Sequence, residues 1–140
     1  MNFKNLIVLL SVFLFTGCVV TDADESNKMH TLASALTKLS TAVESSVRYK
    51  SPPEGMPDAD LLAMATQHDP QLLRPFSPFR LKILRQQRHA IVLVCTQDGE
   101  KALLEDAGCT AKLDVHLWKI TPPKLCAFTL RAEQVCGTPN

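Results

Sequence analysis

No two glycines in this chain stand two apart, so it has no G-x-G, the core of loops that cradle phosphates. G-x-S-x-G, the turn that presents a serine nucleophile, is absent as well. The four histidines, His30, His68, His89 and His116, form neither H-x-x-x-H nor H-E-x-x-H, which removes the helical zinc-protease arrangement. No pair among the five cysteines is spaced as C-x-x-C, the signature shared by many zinc sites and redox pairs. The net charge is only +1, and so composition gives no case for nucleic acid as a partner. The longest apolar run is well short of the about 20 residues that a membrane-spanning helix needs.

That run is nevertheless the most informative stretch present. "FKNLIVLLSVFLFTGC" carries Lys4 ahead of an apolar segment, residues 6–15, broken only by Ser11, and then the small residues Thr16 and Gly17. A basic start, a short apolar middle and a small-residue exit, in that order at the N-terminus, describe an export signal. Its last five residues, "LFTGC", resemble the lipobox of bacterial lipoproteins, with Gly17 and Cys18 matching well and Phe15 standing where leucine is commonest. The resemblance implies removal of residues 1–17 and acylation of Cys18, with several chains because one alone holds only marginally, at about 0.8 kcal/mol per buried methylene. In that class Asp after the cysteine favours inner-membrane retention. Val19 and Val20 stand here instead, implying the outer membrane, facing the periplasm.

Removal of residues 1–17 leaves 123 residues, the size of one small domain, and takes away only Lys4 of the 15 basic residues, so that 14 remain against 14 acids. With Cys18 acylated, Cys95, Cys109, Cys126 and Cys136 are left, an even number that in a small exported domain reads as two disulfides with three pairings to choose from. The local pairing, Cys95 with Cys109 and Cys126 with Cys136, is expected, each short loop adding roughly 3 kcal/mol.

Along the mature chain, residues 18–28 are polar and acidic beyond the two valines and predict a flexible tether. The single domain is expected over 29–140. Met29, Leu32, Leu36, Leu39 and Val43 recur at spacings of three and four, one face of a helix over 29–50 that is expected to lie on its own domain. A second helix is predicted over 58–67, and a short helical turn begins after Asp69 with Pro70 in its first position. "FRLKILR" alternates with the strand period, "HAIVLVCT" reads as a buried strand, and Asp98-Gly99 turns the chain into "KALLED" as a third. A fourth strand is expected over 109–120 and a fifth over 124–136. Helices first and a mostly antiparallel sheet after, stapled by disulfides, argue an α+β fold. The core is expected from Phe79, Leu81, Ile83, Ile91, Leu93, Leu113, Leu117, Trp118 and Phe128.

Candidate chemistry is sparse. Asp114 and His116, two apart, would share a strand face, where a carboxylate orients a histidine, although polar residues on an open sheet face look the same. Glu105 and Asp106 are adjacent and would point to opposite faces of a strand. Between Pro70 and Gln97 lie five basic residues and no acid: Arg74, Arg80, Lys82, Arg85 and Arg88. A solvated face balanced by neighbouring acids is the expected reading, with Arg80 and Lys82 the candidate partner-binding residues on their shared face. The sequence thus predicts a lipid-anchored envelope lipoprotein, not an enzyme, without metal or cofactor. It would be an accessory or structural component held to the membrane by its lipid and to an envelope protein by its surface. The alternative is a small exported enzyme or inhibitor.

Overall fold

The computed structural model describes residues 22–137. The expected export segment, Cys18, residues 19–21 and residues 138–140 lie outside them.

The first helix, α1 (Asp22–Lys50), is 29 residues long and starts seven residues before the expected boundary. Residues 22–28 are therefore helical, which corrects the flexible tether for that part. They hold no glycine or proline, and Asp22, Asp24 and Glu25 complement the positive end of the helix dipole as Arg48 and Lys50 complement the other. Acids alone lack apolar periodicity, so a pattern-based reading stops too early. Met29, Leu32, Leu36, Leu39 and Val43 are all buried, with Val47 continuing the stripe. The apolar face of α1 is thus consumed by its own domain, as its spacing predicted. Among the described residues no helix is long and apolar enough to cross a membrane.

Helix α2 (Asp58–Ala65) and a 3-10 segment, Pro70–Phe76, pack beside α1 and contribute Leu61, Leu62 and Phe76 to the same core. Pro75 lies inside that segment, and Asp69 stands at its cap position without a side-chain hydrogen bond.

Strands β1 (Arg80–Gln86), β2 (His89–Cys95) and β3 (Ala102–Ala107) form an antiparallel sheet in the order β1-β2-β3. Gln86 pairs with His89, so two residues make the first turn, with Gln87 in the left-handed region at φ 57°. Gly99, at φ 76°, makes the second turn as Asp98-Gly99 predicted, and Asp98 accepts the Thr96 hydroxyl at 2.5 Å and the Glu100 N–H at 2.9 Å. The fold is α+β, with the helices first and the antiparallel sheet after.

The central strand is buried from end to end. Ala90, Val92 and Val94 face α1, while Ile91, Leu93 and Cys95 face a third layer formed by residues 108–137. Of the expected core, Ile91, Leu93 and Leu117 are fully buried, and Phe79, Leu81, Ile83, Leu113, Trp118 and Phe128 are half-buried at its margins.

The third layer corrects two expectations at once. In place of a fourth strand there is one bridge, Glu105 with Val115, and a 3-10 turn, Leu117–Lys119. In place of a fifth there is one bridge, Lys101 with Leu125, and the short helix α3 (Ala132–Val135). Side chains here do what a strand ladder would have done. Glu105 accepts the N–H groups of Thr129 (2.9 and 3.1 Å) and Leu130 (3.0 Å) and the Thr129 hydroxyl at 2.5 Å. The Gln86 side-chain carbonyl accepts the Ala132 N–H at 2.7 Å, and Asp114 accepts that of Ala107 at 2.6 Å. With these donors satisfied, no further strand is needed to pair them.

The disulfides are Cys95–Cys126 and Cys109–Cys136, not the local pairs expected. The antiparallel register explains the correction. Cys95 pairs with Ala102 at one end of the sheet, whereas Cys109 follows Ala107 at the other, roughly 15 Å away at about 3.4 Å per residue. Each bridge instead ties the sheet to the third layer across separations of 31 and 27 residues, adding about 3.5 kcal/mol in the chain-entropy description.

At Gly108 helix α1 comes hard against the end of the sheet. A Cβ there would lie 2.2 Å from the Ser40 carbonyl oxygen and 2.4 Å from Glu44 Cβ, and its N–H donates to the Ala90 carbonyl at 2.9 Å. Gly108→Ala is expected to cost about 1–3 kcal/mol by forcing α1 away from the strands. Gly55→Ala, with no atom within 4 Å of its Cβ, serves as the control. Urea unfolding midpoints check this; equal midpoints for the two variants would contradict it.

Candidate functional site

The run of basic residues divides in two when folded. Arg80 and Lys82 share one face of β1, as alternation requires, and look toward the third layer. Lys82 Nζ donates to the Cys126 carbonyl at 3.4 Å and sits 5.9 Å from the centre of the Phe128 ring. Arg80 is exposed and lays its guanidinium over Gly99, where the absence of a side chain leaves room. Arg85 and Arg88 belong to the hairpin end. Arg85 donates to the carbonyls of Pro52 (3.3 Å) and Pro53 (2.8 Å), and Arg88 to that of Arg48 at 2.7 Å. With Ser51, Glu54 and Gln87 they line an open cleft of about 570 Å³. Arg74 is exposed and separate from both groups.

Backbone carbonyls, not acids, thus hold the hairpin cations. The ion pairs within 4 Å among the described residues are those of Glu44 with His89 and with Arg48. Among the described residues no acid lies within 4 Å of Arg80, Lys82, Arg85 or Arg88, although Asp98 feels the charge of Arg80 and Glu54 lines the cleft with Arg85 and Arg88. Arg80, Lys82 and Arg85 lie along β1, which is an edge strand. Charge on an edge keeps it from pairing with other strands. One of its N–H groups, that of Ile83, is already taken by the Asp58 carboxylate at 3.0 Å.

Asp114 and His116 turn to different partners. Asp114 receives the Ala107 N–H and gives its own N–H to Asp106 Oδ1 at 3.3 Å. His116 meets His30 of α1, ring centres 5.6 Å apart, and His30 in turn lies 6.0 Å from Trp118. Burial pushes the His116 imidazole below its ordinary range, helped by Lys119 and His30. Its Nδ1 and the Trp118 indole N–H are buried without a hydrogen-bond partner among the described residues. Among the described residues no carboxylate hydrogen-bonds to this histidine, so Asp114 does not orient it.

Sequence reasoning weighed Glu105 and Asp106 only for their strand geometry and passed over Glu44; all three are buried acids. Glu105 and Asp106 point to opposite sheet faces, as adjacency in a strand requires. Asp106 faces α1, where the Ser40 hydroxyl donates to it. Burial, reinforced by the charge of Asp114 and opposed by the Ser40 hydrogen bond, pushes its carboxyl up to about 7. Glu44, one turn of α1 beyond Ser40, lies 2.7 Å from His89 Nδ1 through one oxygen and accepts the Ala90 N–H at 2.7 Å through the other. The signal for these residues was present. Ser40 and Glu44 continue the face that carries Leu36 and Val47, at positions where the stripe predicts apolar side chains.

Asp106 binds a proton more tightly in the folded chain than in the unfolded one. Its contribution to stability is therefore greatest below pH 3.8 and is lost as pH rises toward about 7. Asp106→Asn keeps the acceptor for Ser40 and removes the titration. The variant is expected to gain on wild type steadily across that interval and to be more stable above it, by an amount on the order of a few kcal/mol at about 1.4 kcal/mol per tenfold change in proton affinity. Urea midpoints measured over the interval check this; a constant difference would contradict it.

No family model matches this chain, and neither a curated protein nor a solved structure matches it.

Proposed function

We propose that this protein is a lipid-anchored component of the bacterial cell envelope, attached through Cys18 to the outer membrane on its periplasmic side. Its α+β domain serves as a non-catalytic binding piece of an envelope assembly. The export segment ending in "TGC" supports the anchor, and two disulfides suit an oxidising compartment.

One observation carries the binding role. The apolar stripe of α1 is spent on the core, which leaves the β1 edge, whose cations are not neutralised by acids within 4 Å, as the surface with charge to offer. An acidic face on a neighbouring envelope protein suits Arg80 and Lys82, since complementary charge steers association and fixes orientation.

Two variants test the two halves of the reading. In Cys18→Ser the protein is expected to leave the membrane fraction, and retention there would contradict the anchor. In Arg80→Glu combined with Lys82→Glu, in-cell crosslinking followed by mass spectrometry is expected to lose the principal crosslinked protein while membrane attachment persists. An unchanged set of crosslinks would contradict this surface.

A further inference from the structure

We propose that Cys109–Cys136 is an exchange-active disulfide that takes a dithiol as its substrate, with His89 and Glu44 as its proton-handling dyad, while Cys95–Cys126 is the permanent staple. A ring nitrogen of His89 and the sulfurs of Cys109 and Cys136 all lie within 4.8 Å of one another. His89 is 6% exposed and Glu44 4%, and the 2.7 Å contact between Nδ1 and Glu44 leaves Nε2 as the nitrogen free to serve sulfur. The carboxylate cannot swing away, because its other oxygen holds the Ala90 N–H. Arg48 of the same helix lies 3.9 Å from the Glu44 oxygen that meets His89, and these are the charges that face the imidazole in the structure.

The two disulfides differ in the surroundings that govern exchange. Cys109 and Cys136 are both half-buried, as is Cys126 of the other bridge. Cys95 is fully buried among Leu93, Leu117, Val115 and Ile120. Both bridges border apolar clusters, which disfavour a thiolate, and what sets Cys109–Cys136 apart is the His89 ring beside its sulfurs, a neighbour that favours one.

In the reaction, a thiolate of the dithiol attacks one of the two sulfurs. The new sulfur–sulfur bond forms as the Cys109–Cys136 bond breaks, and the electron pair departs on the other sulfur as a thiolate stabilised by His89. The second thiolate of the dithiol then attacks the mixed disulfide. The dithiol leaves as a disulfide, and its two electrons and two protons reside on Cys109 and Cys136. The domain has the means to survive this, since the Glu105 hydrogen bonds, the Gln86 contact to Ala132 and Cys95–Cys126 still hold the third layer. This inference does not depend on the proposed envelope role.

The test uses the full chain in detergent, titrated with dithiothreitol, acid-quenched, alkylated and read by peptide mass spectrometry. Cys109–Cys136 is expected to open at a dithiothreitol level at least about tenfold lower than Cys95–Cys126. Simultaneous opening, or opening of Cys95–Cys126 first, would overturn the proposal. A second readout is the pH profile of iodoacetamide alkylation of the opened pair in the wild type. Fast alkylation well below the about 8.5 of a free thiol is expected, and a free-thiol profile would overturn the assignment. His89→Gln, or Glu44→Gln if that variant does not fold, is expected to move the profile toward that of a free thiol, and a variant profile identical to the wild type's would remove the dyad from the reaction.

Discussion

Two adjacent carboxyl groups in the last strand hold the three layers of this protein together. Glu105 and Asp106 are both fully buried, and the pleat of β3 sends one toward the third layer and the other toward α1. Removing a carboxylate from water costs several kcal/mol unless hydrogen bonds replace the hydration. Glu105 recovers that cost with a cage of backbone N–H groups and one hydroxyl, each charge-assisted bond being worth about 1.5–3 kcal/mol. Asp106 follows the other route open to a buried acid, binding its proton more tightly and sharing the site with Ser40 and Asp114.

The remainder of the fold follows from where these groups stand. Because Glu105 collects the N–H groups of residues 129 and 130, the C-terminal segment crosses the sheet face without forming a strand. A segment held by a few side-chain bonds needs covalent support, and the two disulfides supply it at opposite ends of the sheet. On the other face, Ser40 and Glu44 bring α1 so close to the strands that only glycine fits at position 108. The same closeness places Glu44 on His89, and His89 beside the second disulfide. The reactive arrangement proposed there is thus a by-product of how α1 is seated.

Patterns of period two and period three to four were legible in the chain as far as the third strand. The stripe from Met29 to Val43, the alternation of Arg80 and Lys82, and the Asp98-Gly99 turn each report a local rule that the structure obeys. Legibility ends where hydrogen bonds are made by side chains distant in sequence. Residues 109–120 and 124–136 carry strand-like composition, but backbone donors among them are taken by the side chains of Asp106, Glu105 and Gln86, which no local window relates to them. The cysteine pairing failed for a similar reason. Short loops are favoured by chain entropy, yet register places Cys95 and Cys109 at opposite ends of the sheet. Of the site, Arg80 and Lys82 were readable as a shared face, whereas Glu44 and His89 come together only through the seating of α1, 45 residues apart in the chain.

Hydrogen exchange at the amides of Thr129 and Leu130, compared between wild type and Glu105→Ala, tests most directly whether one buried carboxylate stands in for a missing strand. Both amides are expected to be protected in the wild type and to lose that protection in the variant, while the amides of β2 stay protected. Equal protection of residues 129 and 130 in the two proteins would contradict the account.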